Sequence, residues 1–259
     1  IIFSEYMKER YEITAPEAVK IKHVLGYVEH MRNDRGNHDA SINRAVTIVR
    51  SYYRALVAMD CIAPHDNPMK GFPKIKAVKR KFREVLNKKE IKKLMDAPRT
   101  DIILGLRDRA ILALLYGTGI RASECAGLKE KDVDLIGRTI KVTGKGGDER
   151  TVPLNDTVVR ALKLYRKVRR PIQGSGHFFR SRIRGKGMSR SAIYERVRTY
   201  ARRARIKKHV SPHTLRHTFA THMLKTGVNL VVLRDLLGHR QISSTQIYLH
   251  MTAHDLSKA

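Results

Sequence analysis

The sequence predicts a mainly α-helical protein with one small antiparallel β-sheet, divided into two domains. Apolar residues recur at helical spacing along most of the chain, and only one pair of segments has strand character. A basic stretch separates two blocks with the patterns of folded domains. The length of 259 residues agrees with about two domains, and a hydrophobic content of 42% suffices for ordinary cores.

Residues 1–75 are predicted to form a domain of short helices. The segment Thr14–Glu17 has the form of a capping box with an early proline, and apolar residues at helical spacing follow it. After a polar turn, a second apolar stripe occupies residues 42–56, and Arg50 and Arg54 lie off this stripe.

A basic linker is predicted at residues 76–87. Lysine and arginine are frequent there, and they include Lys79, Arg80 and Lys81. A run of charge usually forms a solvated face or a linker. Because this run lies between two blocks with folded patterns, we interpret it as a linker suited to following a polyanionic backbone.

Residues 88–259 are predicted to form the second, larger domain. Asn87 has the character of an N-cap for a helix that continues to Met95. A strongly apolar helix then runs to about Tyr116 and stops in the segment Gly117–Gly119.

The only strand signal lies in this second domain. Residues 138–142 and 150–153 are joined by a loose glycine turn, which predicts a β-hairpin. Arg190 and Arg202 lie on the polar faces of a later helix and suit phosphate contacts. Helices are expected near residues 155–169, 190–205, 212–226, 229–237 and 244–250.

The charge balance indicates a polyanionic partner. The chain has 53 lysines and arginines against 24 acidic residues, a formal net charge of +29, and such a surplus most often indicates nucleic acid. An anionic membrane is the competing interpretation, but the longest apolar run, residues 110–116, is far shorter than the about 20 residues that span a bilayer. Cys61 and Cys125 are isolated, so a disulfide scaffold is not indicated and a reducing cytoplasm is expected.

Seven polar residues supply what cleavage of a phosphodiester without a metal requires. The reaction needs a nucleophile, cations for the phosphoryl oxygens, and groups that donate and accept protons. Arginine suits the second task because it is always charged and presents paired donors. The residues are, in chain order, Arg121, Glu124, Lys145, His213, Arg216, His239 and Tyr248.

Helix signals near these residues predict how they are placed. His213 and Arg216 are three residues apart and therefore share a helix face. The preceding Ser211–Pro212 has the character of an N-cap followed by a first-turn proline. Glu124 stands three residues after Arg121, in a position to pair with it.

Other chemistries fit the sequence less well. His213 and His217 at i,i+4 spacing could suggest zinc, but no H-E-x-x-H motif or completing carboxylate accompanies them, so no metal is expected. His217 and His222 are expected to pack within their helix. The glycine turn around Lys145 lacks the spacing and hydroxyl residue of a P-loop, so no ATP or other cofactor is indicated.

The ordered motifs resemble those of the tyrosine recombinase family, in particular its Xer and integrase-like branch. The resemblance is specific between residues 87 and 250 and general in the N-terminal helices. Asp148 departs from the basic residue that the family often has in its hairpin, and Leu249 replaces a common threonine. The matching segments are residues 119–124, 144–150, 213–222, 237–239 and 246–250.

The resemblance implies a covalent mechanism. Tyr248 would attack the phosphorus and form a 3′-phosphotyrosyl bond, which frees a 5′-hydroxyl. Lys145 would protonate the leaving 5′ oxygen, and His213 would act as acid and base near the tyrosine. Because the covalent ester conserves the energy of the broken bond, another 5′-hydroxyl can religate the strand without ATP or metal.

The resemblance also implies how the phosphate is held. Arg121 and Arg216 would clamp the phosphoryl oxygens, and His239 would assist them. Glu124 would orient Arg121. These roles agree with the requirement for preorganised positive charge in the transition state.

The family further implies a two-domain clamp around DNA, built from a helical, SAM-like core-binding domain and an α+β catalytic domain. The expected partner is double-stranded DNA at specific sites, and no membrane is expected. Relatives work as a homotetramer through a Holliday junction, with a monomer or dimer as the free form and an accessory DNA-bending or regulatory protein as a further partner. The predicted DNA contacts are Arg50, Arg54, Lys79, Arg80, Lys81, Arg190 and Arg202.

Two alternative functions remain on the residues alone. A type IB topoisomerase-like enzyme would use nearly the same side chains, and its product, relaxed DNA, would distinguish it from a recombinase. An architectural DNA-binding protein would bind without cleaving, and the intact motif residues argue against it. Among recombinases, chromosome-dimer resolution, integration, excision and transposition all remain open, and a cytoplasmic, nucleoid-associated location is expected for each.

Overall fold

The computed structural model describes residues 2–73, 75, 84–144, 146–169, 176–181 and 186–238. The chain falls into two compact units, Ile1–Lys81 and Phe82–Ala259. The mainly helical class with a small antiparallel sheet is confirmed. Most of the predicted linker, including Lys79, Arg80 and Lys81, lies outside the described residues, so the domain boundaries stay a prediction.

The first unit is a small helical bundle. Its helices are α1 (Ile2–Tyr11), α2 (Ile21–Asn33) and α3 (Asp39–Ala58). The predicted stripe of α3 is the buried one, because Ile42, Val46, Val49 and Tyr53 are each at most 4% exposed. Apolar residues at three- and four-residue spacing therefore form the inner face of this helix.

The predicted start of the second helix at Thr14–Glu17 is wrong. Pro16–Ala18 forms only a 3-10 turn, and α2 begins at Ile21. Val19 adopts an extended backbone conformation and is 3% exposed, while the Tyr53 hydroxyl donates to the Pro16 carbonyl at 3.1 Å. These tertiary contacts separate the proline turn from the helix that follows.

The second unit is organised around α5. The stretch 110–115 of this helix is at most 5% exposed, and α5 packs against α7 and α9. A helix that is apolar on all sides is a buried helix. The elements of this unit are α4 (Lys88–Asp96), α5 (Ile103–Thr118), α6 (Ala122–Gly127), β1 (Val133–Asp134), β2 (Thr139–Thr143), β3 (Glu149–Pro153), α7 (Asp156–Val168), α8 (Arg190–Arg203), α9 (Pro212–Lys225) and α10 (Leu230–Leu237).

Gly119 ends α5 and turns the chain. Its φ of 65° lies in the left-handed region, which glycine adopts without steric cost. A Cβ at this position would lie 2.4 Å from Phe219 Cδ1 and 2.9 Å from Leu237 Cδ2. The helix extends slightly beyond the predicted Tyr116, and the glycine brings its end against α9 and α10.

The predicted hairpin is present and has a third strand. β2 and β3 pair antiparallel with Val142 opposite Arg150 and Ile140 opposite Val152. The additional strand β1 has only two residues and pairs with β2. A segment this short has no detectable alternation, and so the sequence did not predict it.

The remaining predicted helices are confirmed as α7, α8, α9 and α10, each within about two residues at either end. Local caps explain this agreement: the side chains of Asn155, Ser189, Ser211 and Asn229 each accept a backbone N–H of the following turn. The helix expected near residues 244–250 lies outside the described residues. Within the described part of the chain, no helix has both the length and the apolar character needed to cross a membrane.

Candidate active site

The candidate site lies where the turn after α5, strand β3, helix α9 and the end of α10 meet. Arg216, on α9, is 6% exposed and lies at the centre of this junction. Its Nη1 donates to the Gly119 carbonyl at 2.9 Å, and its Nη2 donates to the Leu237 carbonyl at 2.8 Å. The two terminal nitrogens of one guanidinium therefore join the end of α5 to the end of α10.

Arg121 also contacts the end of α10. Its Nη2 donates to the Gly238 carbonyl at 3.0 Å, and its Nη1 donates to Glu124 Oε1 at 2.8 Å. The backbone N–H of Arg121 donates to Glu124 Oε2 at 2.7 Å, so Glu124 also caps the start of α6. The predicted ion pair between Arg121 and Glu124 is therefore present.

Arg150 joins Arg121 and Arg216 in what we call the arginine cluster. It is not among the predicted site residues. Its Nη1 and Nη2 donate to Glu124 Oε1 and Oε2 at 2.8 and 2.9 Å, and its Nε donates to the Leu236 carbonyl at 3.0 Å. Strand alternation could have found it, because Arg150 points to the same face of β3 as the buried Val152. A charged residue on the inward face of a hairpin needs a partner, which here is Glu124.

The Glu124 carboxylate is held in its ionised form. Its side chain is 1% exposed, and burial on its own would raise the pKa of this carboxyl. Hydrogen bonds from the Arg150 side chain and from the backbone and side chain of Arg121 outweigh burial, so the pKa lies below its ordinary value. Glu124 is therefore a fixed negative charge between two guanidinium groups.

The cluster has a net positive charge of about two, because three arginines face one carboxylate. Arg121 is the most exposed of them, with 35% of its side chain accessible, against 16% for Arg150. Two of its five N–H donors are used in the bonds described above. A partly exposed, oriented guanidinium beside a buried one is an arrangement that suits a phosphate.

His213 lies in the first turn of α9, as predicted. Ser211 caps this helix by accepting the Thr214 N–H at 3.2 Å, and Pro212 follows at the first helical position. The His213 side chain is exposed, and its ring packs edge-on against Tyr194 with a centroid distance of 6.0 Å. His213 thus occupies a helix start, where anions are favoured.

The two later histidines of α9 pack inside the fold, as predicted. His217 is 3% exposed. His222 Nδ1 lies 3.0 Å from the Tyr116 hydroxyl and shares a hydrogen bond with it. Burial, together with the charges of Lys225 and Lys88, lowers the pKa of His222. In the residues that the structure covers, no group of three or more histidine, cysteine, aspartate or glutamate side chains could hold a metal ion.

Four predicted DNA contacts fall within the described residues. Arg54 is exposed on α3 and Arg50 is half-buried, while Arg190 and Arg202 are exposed on α8. Arg202 Nη2 also lies 3.3 Å from Glu195 Oε1, so this arginine shares its charge with a neighbouring carboxylate. None of the four takes part in the arginine cluster through the hydrogen bonds described for it.

Three of the seven predicted catalytic residues lie outside the described residues, namely Lys145, His239 and Tyr248. Lys145 follows Gly144 directly, and Gly144 N–H donates to the Asp148 carbonyl at 2.6 Å at the base of the hairpin turn. His239 follows Gly238, whose carbonyl accepts from Arg121. Their roles stay predictions.

Known proteins resemble this chain over most of its length. The model of the phage integrase family matches residues 84–254. Tyrosine recombinase XerD of Staphylococcus saprophyticus is 36% identical over 245 residues, which cover 93% of this chain and 81% of that protein. Tyrosine recombinase XerD of Listeria monocytogenes is 34% identical over 259 residues, with 96% of this chain and 84% of that protein covered.

Solved structures agree with these relatives. The crystal structure of XerA recombinase matches with a TM-score of 0.59 and 28% identity, covering 96% of this chain and 85% of that one. The XerH site-specific recombinase bound to a palindromic difH substrate shares the fold with a TM-score of 0.74 and 21% identity, covering 98% and 74% of the two chains. The chain therefore belongs to the phage integrase family of tyrosine recombinases.

Proposed function

We propose that the chain cuts and rejoins DNA strands at specific sites through a 3′-phosphotyrosyl bond on Tyr248, without metal or ATP. One observation carries this proposal. Arg121 and Arg216, which are far apart in the sequence, donate to the adjacent carbonyls of Gly238 and Leu237. Their guanidinium groups therefore meet at one place, next to the segment that continues to His239 and Tyr248.

The two arginines provide the positive charge that the reaction needs. A phosphodiester is a monoanion, and attack by an oxyanion brings a second negative charge into the transition state. Guanidinium groups fixed before the reaction stabilise this charge without reorganisation, and loss of one such donor typically costs about 10²–10³ in rate. Glu124 keeps Arg121 oriented through the two hydrogen bonds that it accepts from this residue.

The remaining steps follow from the chemistry of the other motif residues. The Tyr248 oxygen attacks the phosphorus, and the bond from phosphorus to the 5′ oxygen breaks. Lys145 gives its proton to that oxygen, and His239 donates to a phosphoryl oxygen. A phenol has a pKa of about 10, so His213 accepts its proton during the attack, and the positive charge of the arginines stabilises the oxyanion. Religation reverses these steps with a new 5′-hydroxyl.

The substrate is double-stranded DNA. The net charge of +29 supports this substrate, and solved relatives include XerH bound to difH and the Tn1549 transposon integrase bound to transposon end DNA. We assign residues 1–75 and 88–259 to the two halves of a clamp joined by the basic linker. Exchange proceeds in a homotetramer through a Holliday junction, with an accessory DNA-bending or regulatory protein where the site requires one, on the nucleoid.

Trapping of the covalent intermediate tests the proposal. DNA nicked near the cleavage site loses a short fragment after attack, so religation fails and the adduct accumulates. We expect the wild-type chain, incubated in EDTA with DNA that carries its site, to form an adduct that survives denaturing electrophoresis. Tyr248→Phe should bind the same DNA without forming one, because it lacks the attacking oxygen.

Tyr194→Phe is a matched control for this experiment. It removes a phenol oxygen from a tyrosine that packs against His213 but has no role in the proposed attack. An adduct that persists in Tyr248→Phe, or an adduct that requires a divalent metal, would overturn the assignment.

A further inference from the structure

Arg150 holds Glu124 more completely than Arg121 does. Its two terminal nitrogens donate to both carboxylate oxygens, at 2.8 and 2.9 Å, which is the paired fork that arginine forms with carboxylates. Arg121 donates to the same carboxylate through only one side-chain nitrogen. The stronger side-chain partner of Glu124 is therefore not the arginine that we assign to the phosphate.

Arg150 also belongs to a set of three arginines at the end of α10. The carbonyls of Leu236, Leu237 and Gly238 are successive, and they accept from Arg150, Arg216 and Arg121 at 3.0, 2.8 and 3.0 Å. The carbonyl end of a helix has partial negative charge, so it attracts cations. We call these three arginines and three carbonyls the carbonyl clasp.

The backbone of Gly238 packs closely against the Arg150 side chain. A Cβ on this glycine would lie 2.8 Å from Arg150 Nη1 and 3.0 Å from its Cζ, and its φ of 63° again favours glycine. The chain therefore passes directly over the guanidinium of Arg150 just before it reaches His239. This close packing is independent of the hydrogen bonds to Glu124.

We propose that Arg150 is a positioning residue for strand cleavage, an inference that rests on the proposed function. By pairing with both oxygens of Glu124, Arg150 limits Arg121 to one side-chain bond with the carboxylate and keeps other donors of Arg121 available to the phosphate. It also fastens the end of α10 through Leu236. Without Arg150, Arg121 donates to both oxygens of Glu124 instead, because a buried carboxylate that has lost a partner is costly.

Single-turnover kinetics on the nicked DNA separate this role from DNA binding. We expect Arg150→Met to slow adduct formation at saturating DNA by about 10²-fold, the loss typical of one misplaced donor, and to change the Kd for DNA by less than about threefold, since the Arg150 side chain makes no contact with DNA in the proposal. Arg150→Lys keeps the positive charge but cannot form the paired fork, so its rate of adduct formation should lie between those of wild type and Arg150→Met. Because lysine keeps a cation beside the buried carboxylate, Arg150→Lys is the variant to measure if Arg150→Met does not fold.

Lys141→Met is the matched control. It removes a cation from the same hairpin, where Lys141 is exposed and paired with Glu149, and we expect adduct formation at the wild-type rate. A wild-type rate in Arg150→Met or Arg150→Lys would overturn the inference. So would a loss that follows weaker DNA binding alone.

A second substitution tests the cause. If adduct formation by Arg150→Met is slow because the Glu124 carboxylate has lost its partner, removing that charge should help. We therefore expect the double variant Arg150→Met, Glu124→Gln to form the adduct about tenfold faster than Arg150→Met. A double variant no faster than Arg150→Met would show that Arg150 acts only as a packing residue. Absence of an adduct with the wild-type chain, or its persistence in Tyr248→Phe, would instead refute the proposed function.

Discussion

The Glu124 carboxylate shows how a single residue sets the electrostatics of the site. It is almost fully buried, yet four hydrogen bonds from Arg121 and Arg150 keep it ionised. The sequence predicted the contact with Arg121, because residues three apart near a helix start are neighbours. It did not predict the contact with Arg150, since strand register and helix packing decide which side chains meet across the fold.

The lowered pKa of Glu124 leads to a prediction on stability. A carboxyl with a folded pKa below its unfolded value, near 4.5, contributes stability that is present above that value and is lost as the pH falls through the folded pKa. Glu124→Gln lacks this contribution. We therefore expect the difference in unfolding free energy between wild type and Glu124→Gln, measured with urea, to be largest near neutral pH and to shrink below about pH 4.5.

Glu149→Gln controls for the general effect of removing a carboxylate. Glu149 is half exposed and pairs with Lys141, and exposed ion pairs contribute little to stability. The unfolding free energy of Glu149→Gln should therefore stay close to that of wild type at every pH. A deficit of Glu124→Gln that remains constant from neutral to acid pH would contradict the prediction.

At the scale of elements, helix ends place the site. Caps at Asn87 and Ser211 and the glycine end of α5 are local features, so the sequence predicted most helix boundaries. The start of α2 was wrong because burial of Val19 and the bond from Tyr53 to Pro16 are contacts distant in sequence. The carbonyl clasp was not predicted for the same reason, because its contacts join β3, α9 and the turn after α5 to α10, which are distant in sequence.

Gly119 offers a test of this placement. We expect Gly119→Ala to lower the unfolding free energy by about 2 kcal/mol or more, because alanine resists the left-handed conformation and its Cβ would overlap Phe219. Adduct formation should fall as well, since the Gly119 carbonyl accepts from Arg216. Urea unfolding and the nicked-DNA assay measure the two effects.

Gly127→Ala is the matched control for this substitution. Gly127 also ends a helix, but its φ is not positive, and a Cβ there would meet no atom within 4 Å beyond its chain neighbours and its own helix backbone. Stability and adduct formation should remain close to wild type. If the two alanine variants behave alike, the end of α5 does not position the site as described.

At the scale of the whole molecule, charge dominates. The surplus of +29 is far larger than the cluster of three arginines requires, and it was visible from composition alone. The two compact units agree with a protein that divides near residue 81. The sequence identified the chemistry through ordered motifs, but it placed Arg50, Arg54, Arg190 and Arg202 only by charge, which many surface residues share.

Salt dependence tests the assignment of this charge to DNA. Each phosphate contact releases a counterion, so DNA affinity should fall by about 10³-fold or more between about 50 and 200 mM salt. Arg190→Met should reduce the slope of log Kd against log salt by about one. Fluorescence anisotropy with labelled duplex measures both.

Arg99→Met provides the comparison for this measurement. Arg99 is exposed and pairs with Asp101, and it is not among the predicted DNA contacts, so the slope should not change. An affinity that is flat across this range of salt would contradict binding through the phosphate backbone.

In the proposed function, the carbonyl clasp brings the end of α10 and a bound phosphate to the same guanidinium groups. Each oxygen that attracts Arg121 or Arg216 weakens the attraction of that arginine for Gly238 or Leu237, and thermodynamic linkage makes the effect mutual. In the proposed function, a phosphate that enters the cluster therefore weakens the hold of these arginines on Leu237 and Gly238. Under the proposed function, phosphate recognition and the arginine contacts at the end of α10 are therefore thermodynamically coupled.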